Sequence, residues 1–399
     1  MSVAPVPLGA EASGFTLAGS RRPAGKRTRE CADTARPIAI VLHDLRGGGA
    51  ERASLRLARG MAAAGRNVDL VLVRGEGAYL NDVPSNVRLH VLGCERVSRA
   101  IGALASYFRQ ARPRAVLSAL THMNIATAAA ACLSRVPMRL VLSERNQISC
   151  KVREAQGFWQ RALYRSVPLA YRAADAVVAV SDGVARDLAG FGRLPKRQLR
   201  VIHNPVFDPA ILSMAQADPS HPWFEQAGGP PIILAAGRLH RQKGFDVLLK
   251  AFAVARSEID CRLVILGEGA ERDALARAGN ELGLGYDIDM PGFVANPFAL
   301  MARAGAFVLP SRWEGFPNAL VEAMACGAPV VASDCPSGPQ EILAGGRYGR
   351  LVAPEDSEAL GRALIETLSL RPNTQASVAR AQSFSIATAA AQYLDALEA

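Results

Sequence analysis

The sequence predicts an α/β protein built from two doubly wound domains, each a parallel sheet covered by helices. Short apolar runs with the length of buried strands alternate with helical patterns along the whole chain. Polar or glycine-rich stretches follow these runs, at the strand ends where open α/β sheets bind ligands. Residues 206–231, rich in Pro, Gly and Asp and without periodicity, are predicted to link the two domains of this 399-residue chain.

The composition limits the class of protein. Half of the residues are hydrophobic, yet no window approaches 18 uncharged apolar residues, which predicts no transmembrane helix. Residues 1–35, rich in Ala, Gly, Pro and Arg, are predicted to be a disordered leader rather than a secretory signal. The seven cysteines are odd in number and form no C-x-x-C pair, which favours reduced thiols in a cytosolic protein over a zinc site.

Positive charge is concentrated in the first half of the chain. Residues 1–205 contain 31 Lys and Arg against 14 Asp and Glu, whereas residues 206–399 contain 15 against 22. Such asymmetry predicts an anionic partner for the first half, either a membrane surface or nucleic acid. We expect no nucleic acid, because the sequence has no stacking aromatic platform or recognisable nucleic-acid-binding module.

In the predicted N-terminal domain, residues 36–205, several apolar runs have the length of strands. They are residues 37–43, 67–73, 87–92, 115–120, 140–142, 176–180 and 199–202. The first is followed by Gly47, Gly48 and Gly49 and then by a helical pattern. A strand, a glycine loop and a helix form either a phosphate-binding loop or a tight turn, and the triplet alone does not decide between them.

Polar side chains follow two further strands of this domain. His122 lies just after the fourth predicted strand, and Glu144 and Arg145 lie just after the fifth. Side chains at these positions line the ligand cleft of open sheets, although a single His is more often structural. A catalytic and a structural role for His122 therefore both remain open from its position.

Residues 151–172 combine aromatic and basic side chains in a helical pattern. Phe158 and Trp159 lie close to Arg161, and Pro168 is expected to break the helix. Such a segment is either a helix on the sheet with a solvated basic face or an interfacial helix on an anionic bilayer.

The predicted C-terminal domain, residues 232–382, repeats the alternation. Its strands are predicted at residues 232–236, 262–266, 287–290, 307–309, 330–332 and 349–352, and its helices at 245–255, 270–282, 297–304, 318–326 and 357–370. A last helix, within about residues 383–399, is expected to pack back on the first domain. Asp287 and Asp289 alternate in a predicted strand without a third acidic partner, so we expect no metal site there.

The strongest chemical signal lies in residues 307–332. An apolar strand leads into a loop with Glu314, and a helix that contains Glu322 follows. Free N–H groups and the dipole at such a helix start favour an anion, typically phosphate. Either glutamate alone would be an ordinary exposed side chain, but the surrounding Gly, Phe, Pro and Asn favour a shaped loop. Arg238 and Lys243 share an earlier loop, where two cations can clamp a diphosphate.

Three motifs together give the chain a family resemblance. Residues 314–322 read Glu-Gly-Phe-Pro-Asn-Ala-Leu-Val-Glu, residues 237–245 begin Gly-Arg-Leu and end Gln-Lys-Gly-Phe, and residues 47–52 read Gly-Gly-Gly-Ala-Glu-Arg. Over about residues 37–399 the chain resembles glycosyltransferase family 4, retaining nucleotide-sugar enzymes of the GT-B fold. Two glutamates separated by seven residues are the strongest element of this resemblance.

The resemblance implies a role for each matching residue. Arg238 and Lys243 would hold the donor diphosphate and stabilise the leaving nucleotide. Glu322 would accept hydrogen bonds from the ribose, Glu314 would hold the sugar, and His122 would lie near it. Except for Glu322, these residues form the implied catalytic group. The further implied donor-binding residues are Gly237, Phe293, Val294, Gly315, Phe316, Asn318, Ala319 and Leu320, and the implied cleft or acceptor residues are Gly47, Gly48, Gly49 and Arg145.

The implied activity is that of a retaining, metal-independent hexosyl- or N-acetylhexosaminyltransferase, with a UDP-sugar as the expected donor and no cofactor. Fixed cations and a helix start can stabilise a leaving diphosphate without a metal. The Ser-Glu-Arg-Asn stretch at residues 143–146 is similar to the subset that acts on lipid-linked acceptors, such as polyprenyl-diphosphate saccharides. With the basic first half, it predicts a cytoplasmic enzyme, peripheral on the inner face of the cytoplasmic membrane, in cell-surface polysaccharide or glycan assembly.

Other functions remain open from the sequence. An epimerase or hydrolase could use the same nucleotide-sugar site, and a transferase could act on a soluble acceptor. A non-catalytic partner subunit is disfavoured by the intact Glu314, Glu322, Arg238 and Lys243. The sugar, the linkage and a GDP or ADP donor are not decided by these residues.

Overall fold

A computed structural model describes residues 36–155, 157–225, 228–370 and 372–399. The predicted leader, residues 1–35, lies outside the described residues. The described part of the chain contains two parallel sheets covered by helices, which confirms the predicted fold class. None of the helices in these ranges is long and apolar enough to cross a membrane.

The first sheet has seven parallel strands within the described residues. These are β1 (Ile38–Leu42), β2 (Val68–Leu72), β3 (Arg88–Val91), β4 (Ala115–Ala119), β5 (Arg139–Glu144), β6 (Ala176–Ala179) and β7 (Leu199–Val201). Their spatial order is β3-β2-β1-β4-β5-β6-β7, so the strand order reverses between β1 and β4. Ligands of such sheets bind at this switch point, beyond the carboxyl ends of the strands.

The helices around this sheet are α1 (Gly49–Ala63), α2 (Val97–Ala111), α3 (Thr121–Ser134), α4 (Ile148–Glu154), α5 (Phe158–Arg165), α6 (Val167–Arg172) and α7 (Asp182–Gly190). The helical pattern over residues 151–172 is divided further than Pro168 alone predicts. Pro168 lies in the first turn of α6, where its missing N–H is tolerated, and Gly157 is the N-cap of α5. Because the segment is divided into short helices, its apolar side chains need not all lie on one common helix face.

The segment predicted to link the two domains, residues 206–231, contains α8 (Ala210–Ala215) and α9 (Pro222–Glu225). The second sheet has, within the part of the chain described, the order β10-β9-β8-β11-β12-β13. Its strands are β8 (Ile232–Ala236), β9 (Arg262–Leu266), β10 (Ile288–Gly292), β11 (Ala306–Leu309), β12 (Val330–Ser333) and β13 (Arg350–Val352). Its order also reverses, between β8 and β11, and this second switch point faces the first domain.

The remaining helices are α10 (Phe245–Glu258), α11 (Arg272–Glu281), α12 (Pro297–Met301), α13 (Asn318–Ala325), α14 (Pro339–Ile342), α15 (Ser357–Leu370), α16 (Gln375–Gln382) and α17 (Ile386–Glu398). Helix α16 was not predicted, because its buried positions are the small residues Ser377 and Ala381 and give no apolar periodicity.

Helix α17 packs on the first sheet, although it follows the second in the chain. Tyr393 Oη lies 3.0 Å from Ser143 Oγ of β5, and the Glu398 carboxylate pairs with Arg66 at 2.7 Å. An added Cβ at Gly60 of α1 would lie 2.8 Å from Ile386 Cγ2, so the two helices approach closely. The end of the chain therefore ties the second domain back to the first.

Candidate active site

The carboxyl ends of the two sheets face each other across a cleft, and their loops touch. An added Cβ at Gly315, in the loop after β11, would lie 1.8 Å from the carbonyl oxygen of Arg145, which follows β5. Only glycine allows this approach. On the other side, the Asn318 amide of α13 donates to the carbonyl oxygen of Gly49 at 3.0 Å. Two of the predicted loops are thereby brought together with the start of α13.

The glycine triplet forms the turn between β1 and α1. Gly47 has φ +111°, which disfavours any other residue, and Gly48 is the N-cap of α1. An added Cβ at Gly49 would lie 3.2 Å from Asn318 Nδ2. The triplet is therefore a tight turn that also brings α1 against the opposite domain.

Lys243 and Glu314 form an ion pair in the cleft, with Nζ and Oε1 2.6 Å apart. Ser311 Oγ donates to the same carboxylate oxygen at 2.7 Å. Gly244, with φ +66°, closes the loop, because an added Cβ there would lie 2.1 Å from the carbonyl oxygen of Pro310. The ammonium and the carboxylate thus neutralise each other in a largely buried position, a pairing that the sequence motifs do not reveal.

Arg238 lies in the same loop as Lys243 but is exposed. Within the described residues it has no hydrogen-bond or ion-pair partner, whereas Lys243 is paired. The side chain of Lys243 folds over Gly237, where an added Cβ would lie 3.3 Å from its Cδ. The loop therefore presents an uncompensated guanidinium beside a compensated ammonium.

The first turn of α13 is open to a ligand. Pro317 is its N-cap rather than a residue of the first turn, with φ −75° and ψ 93°, and no described side chain caps the helix. The N–H groups of Asn318 and Ala319 are therefore available to an anion. Phe316 and Leu320 are buried and hold the helix start in place.

Glu322 lies one turn into α13 and is contacted from the first domain. Its Oε1 is 3.2 Å from Arg56 Nη2 and 3.9 Å from Arg52 Nη1, both on α1. Among the described residues no hydrogen bond reaches Oε2, which leaves this oxygen for a hydroxyl group. Neither arginine was predicted from the sequence as a cleft residue. The two arginines are four residues apart in the helical pattern that follows the glycine triplet, so they lie on one face of the helix. This spacing is the signal that could have predicted them.

His122 lies in the first turn of α3, beside a second imidazole. The ring centroids of His122 and His43 are 5.7 Å apart, and His43 Nδ1 lies 2.7 Å from Asp44 Oδ2. Burial lowers the pKa of His122 to about 4, and nearby His43 and Lys151 act in the same direction. The His122 side chain is therefore a neutral imidazole at pH 7, suited to hydrogen bonding rather than to charge pairing.

Glu144, the last residue of β5, and Arg145, which follows it, are both buried. Glu144 is fully buried and paired with Lys151 at 2.9 Å, and it accepts a hydrogen bond from Tyr171 at 2.6 Å. Burial and this carboxylate raise the pKa of Tyr171 well above its ordinary value. Arg145 is 5% exposed. The side chain of Arg145, an implied cleft or acceptor residue, therefore lies inside the protein.

Phe293 and Val294 follow β10 at the carboxyl edge of the second sheet. Gly292 turns the chain there with φ +87°. The Phe293 side chain is 61% exposed, whereas Val294 is half-buried against the core. The two residues are thus on the cleft side of the sheet, but no described contact joins them to the charged groups.

Both aspartates have structural partners, although only Asp289 lies in β10, and Asp287 ends the short turn before it. Asp287 is 3.0 Å from Arg256, and Asp289 is 3.0 Å from His221. The described residues contain no group of three or more His, Cys, Asp and Glu side chains arranged for a metal ion.

Two doubly wound domains that face each other across a charged cleft define a protein of the GT-B class. The chain is similar to the solved structure of HepE from Anabaena with UDP and glucose, with a TM-score of 0.75, 23% identity, and 91% of this chain and 99% of that chain covered. It is also similar to sucrose-phosphate synthase from Thermosynechococcus elongatus, with a TM-score of 0.76, 21% identity, and 90% and 98% covered. These likenesses show the fold.

Two family models match the chain: Glycosyltransferase Family 4 over residues 47–207, and Glycosyl transferases group 1 over residues 219–383. The chain therefore belongs to the family 4 glycosyltransferases.

Curated relatives align with about half of the chain. One is the N-acetylgalactosamine-N,N'-diacetylbacillosaminyl-diphospho-undecaprenol 4-alpha-N-acetylgalactosaminyltransferase of Campylobacter jejuni, 31% identical over 198 residues, or 50% of this chain and 52% of that protein. Another is the lipopolysaccharide core biosynthesis glycosyltransferase LpsE of Rhizobium meliloti, 29% identical, with 50% and 55% covered. The chain thus spans about half the length of the curated relatives it matches.

Replacing Arg56 with Met is expected to lower the free energy of unfolding by about 2–3 kcal/mol. The change leaves Glu322 buried with only the longer contact to Arg52, 3.9 Å away. Urea denaturation at pH 7 measures the loss. The double variant Arg56→Met/Glu322→Gln should recover most of it, because no unpaired charge remains. If the double variant instead lost the sum of the two single-variant losses, the interdomain ion pair would be contradicted.

The imidazole of His122 is expected to titrate near pH 4 rather than near the ordinary value of 6.5. The unfolded chain then binds a proton that the folded chain does not, so this contribution to stability is present above about pH 6.5 and is lost as the pH falls toward 4. NMR titration measures the midpoint, with His122→Asn to assign the resonance. A midpoint at or above pH 6.5 would show that the side chain is not desolvated.

Proposed function

We propose that this protein transfers a sugar from a UDP-sugar to a polyprenyl-diphosphate-linked saccharide, with retention of configuration and without a metal or another cofactor. The observation that supports this most directly is the uncapped start of α13 beside the cationic loop with Arg238 and Lys243. Together these groups form a site for the two phosphates of a nucleotide-sugar. Hexosyl and N-acetylhexosaminyl donors both fit this proposal.

The donor diphosphate would lie between the start of α13 and Arg238. Arg238 has no partner among the described residues, and the Asn318 and Ala319 N–H groups are uncapped. As the bond to the sugar breaks, negative charge grows on the leaving phosphate, and fixed donors stabilise it without a metal. Lys243 would contact the same phosphate by exchanging its partner Glu314 for a phosphate oxygen. Lys243 and Glu314 therefore act as a pair.

The nucleoside would extend toward Glu322 and Phe293. The unpaired Oε2 of Glu322 can accept hydrogen bonds from the ribose while Arg56 holds Oε1. Phe293, exposed at the carboxyl edge of the sheet, offers an apolar surface for the base. A bound nucleotide would thus connect the first domain, through Arg56, with the second.

His122 would contact the transferred sugar. A neutral imidazole can donate to one hydroxyl group and accept from another, and it places no cation beside a developing oxocarbenium ion. Glu314 already accepts hydrogen bonds from Ser311 and Lys243, so its role is to hold the sugar and orient the lysine. We assign retention of configuration to attack by the acceptor on the same face of the sugar that the nucleotide leaves. No protein side chain is assigned as a nucleophile.

The acceptor proposal rests on the first domain. The Campylobacter relative is named for an undecaprenyl-diphosphate acceptor and the Rhizobium relative for the lipopolysaccharide core. An acceptor that is both anionic and lipid-anchored fits the basic first half of the chain, where Lys and Arg number 31. Assembly of a cell-surface polysaccharide or glycan is the corresponding process.

The membrane would be met by α5 and α6. Phe158, Trp159 and Leu169 are 76%, 83% and 78% exposed, which is unusual for large apolar side chains. Arg161 and Arg165 are exposed beside them. Apolar tips among arginines fit the boundary of an anionic bilayer, and this surface gives a peripheral enzyme on the inner face of the cytoplasmic membrane.

The transfer reaction is tested by incubating purified enzyme with radiolabelled UDP-sugars, with and without a polyprenyl-diphosphate saccharide in detergent. Label should move to the lipid only when the acceptor is present, in EDTA as well, and NMR of the product should show the donor's anomeric configuration. Conversion of the UDP-sugar without acceptor would indicate an epimerase or hydrolase. Label on a soluble saccharide alone would contradict the lipid-linked acceptor.

Two variants test the donor roles in this assay. Lys243→Ala is expected to lower kcat by about 100- to 1,000-fold, because it removes a charge that stabilises the leaving diphosphate. Glu322→Ala should instead raise the donor KM, since it removes ribose contacts made before the reaction. Lys250→Ala, an exposed lysine on α10, is the control. Unchanged kinetics in both site variants would refute this placement of the donor.

The membrane surface is tested by flotation with liposomes that contain anionic lipid. Phe158→Ser/Trp159→Ser/Leu169→Ser and Arg161→Glu/Arg165→Glu/Arg172→Glu are both expected to reduce recovery with the liposomes several-fold, because one removes apolar insertion and the other reverses the charge. Tyr286→Ser/Leu370→Ser removes exposed apolar side chains of the second domain and should have no effect. Equal recovery of all variants would refute the surface.

A further inference from the structure

Arg145 is a buried cation without a counter-ion. Its side chain is 5% exposed, and no carboxylate lies within ion-pair distance among the described residues. Its Nη1 donates to Asn204 Oδ1, whereas Nε and Nη2 are buried and have no hydrogen-bond partner in the described part of the chain. Leaving a guanidinium desolvated and unpaired is costly, so such a group usually meets an anion in the functional state.

The position of Arg145 identifies where that anion would lie. Its carbonyl oxygen touches Gly315, just before α13. Its partner Asn204 in turn donates to Asn318 Oδ1 at 2.8 Å, and Asn318 is the first residue of α13. A chain of hydrogen bonds through Asn204 therefore connects the guanidinium, in the first domain, with the first residue of α13.

We infer that Arg145 is a diphosphate-binding residue, supplied by the first domain to the anion site at the start of α13. This inference rests on the proposed function. Two diphosphates would be present in the reaction, that of the UDP-sugar and that of the lipid-linked acceptor. Both offer the same chemistry to Nε and Nη2, two parallel donors that match phosphate oxygens.

The neighbours of Arg145 support an anion rather than a structural partner. The nearest buried carboxylate, Glu144, is already bound by Lys151 and by the hydroxyl group of Tyr171. Asn204 supplies an amide oxygen that orients Nη1 but adds no negative charge. A structural arginine in this protein is different: Arg114, also largely buried, pairs with Glu398.

The test compares Arg145→Met with Arg114→Met by isothermal titration calorimetry and thermal unfolding, with UDP and farnesyl diphosphate as probes. Arg145→Met should bind one or both probes about 10- to 100-fold more weakly, the equivalent of lost charge-assisted hydrogen bonds. Its melting temperature without ligand should not fall, because a buried unpaired charge has been removed. Arg114→Met should melt earlier and bind both probes as the wild type does.

The pattern of losses identifies the source of the diphosphate. Weaker binding of UDP alone assigns Arg145 to the donor, weaker binding of farnesyl diphosphate alone assigns it to the acceptor, and Arg145→Lys should recover part of either loss. If Arg145→Met binds both probes like the wild type, the inference is overturned while the proposed function stands. If the wild type binds neither UDP nor farnesyl diphosphate, the proposed function fails with it.

Discussion

Buried charge is costly unless it is paired, and the arrangement of the cleft follows from that constraint. Two ion pairs satisfy it within the protein, whereas the buried Arg145 is left for an anion. Lys243 is neutralised by Glu314 within the second domain, and Glu322 is neutralised by Arg56 from the first. In each pair, a group suited to phosphate or ribose is neutralised by a partner of opposite charge. Under the proposed function, phosphate replaces Glu314 at Lys243, whereas the ribose binds the free oxygen of Glu322 without displacing Arg56.

The compensation of charge across the cleft links substrate recognition to the relative position of the two domains. Arg56 reaches Glu322 only because the glycine turn after β1 lets α1 approach α13. The contact between Gly315 and the carbonyl oxygen of Arg145 has the same effect on the other side of α13. Helix α17 returns to the first sheet and limits how far the domains can separate. Under the proposed function, a complete donor site therefore requires the domains in contact.

Most of the fold could be predicted from periodicity, and the family 4 motifs marked the residues at the start of α13, but the pairing of charges could not. Helix α16 was missed because small residues fill its buried face, and the two short helices within residues 206–231 were missed because Pro and Gly obscure their periodicity. Arg56 lies 266 residues from its partner Glu322, a separation that local patterns do not report. The burial of Arg145 is likewise set by tertiary contacts, which local sequence patterns do not report.

A crystal structure of the protein with bound UDP tests the central claim most directly, namely that the start of α13 and the paired charges around it form a nucleoside-diphosphate site. We expect phosphate oxygens within about 3 Å of Lys243 Nζ and of the Asn318 N–H group. The ribose should be hydrogen-bonded to the Glu322 carboxylate. Lys243 should then share its ion pair with the phosphate. A diphosphate bound outside the cleft, with the pair between Lys243 and Glu314 undisturbed, would contradict it.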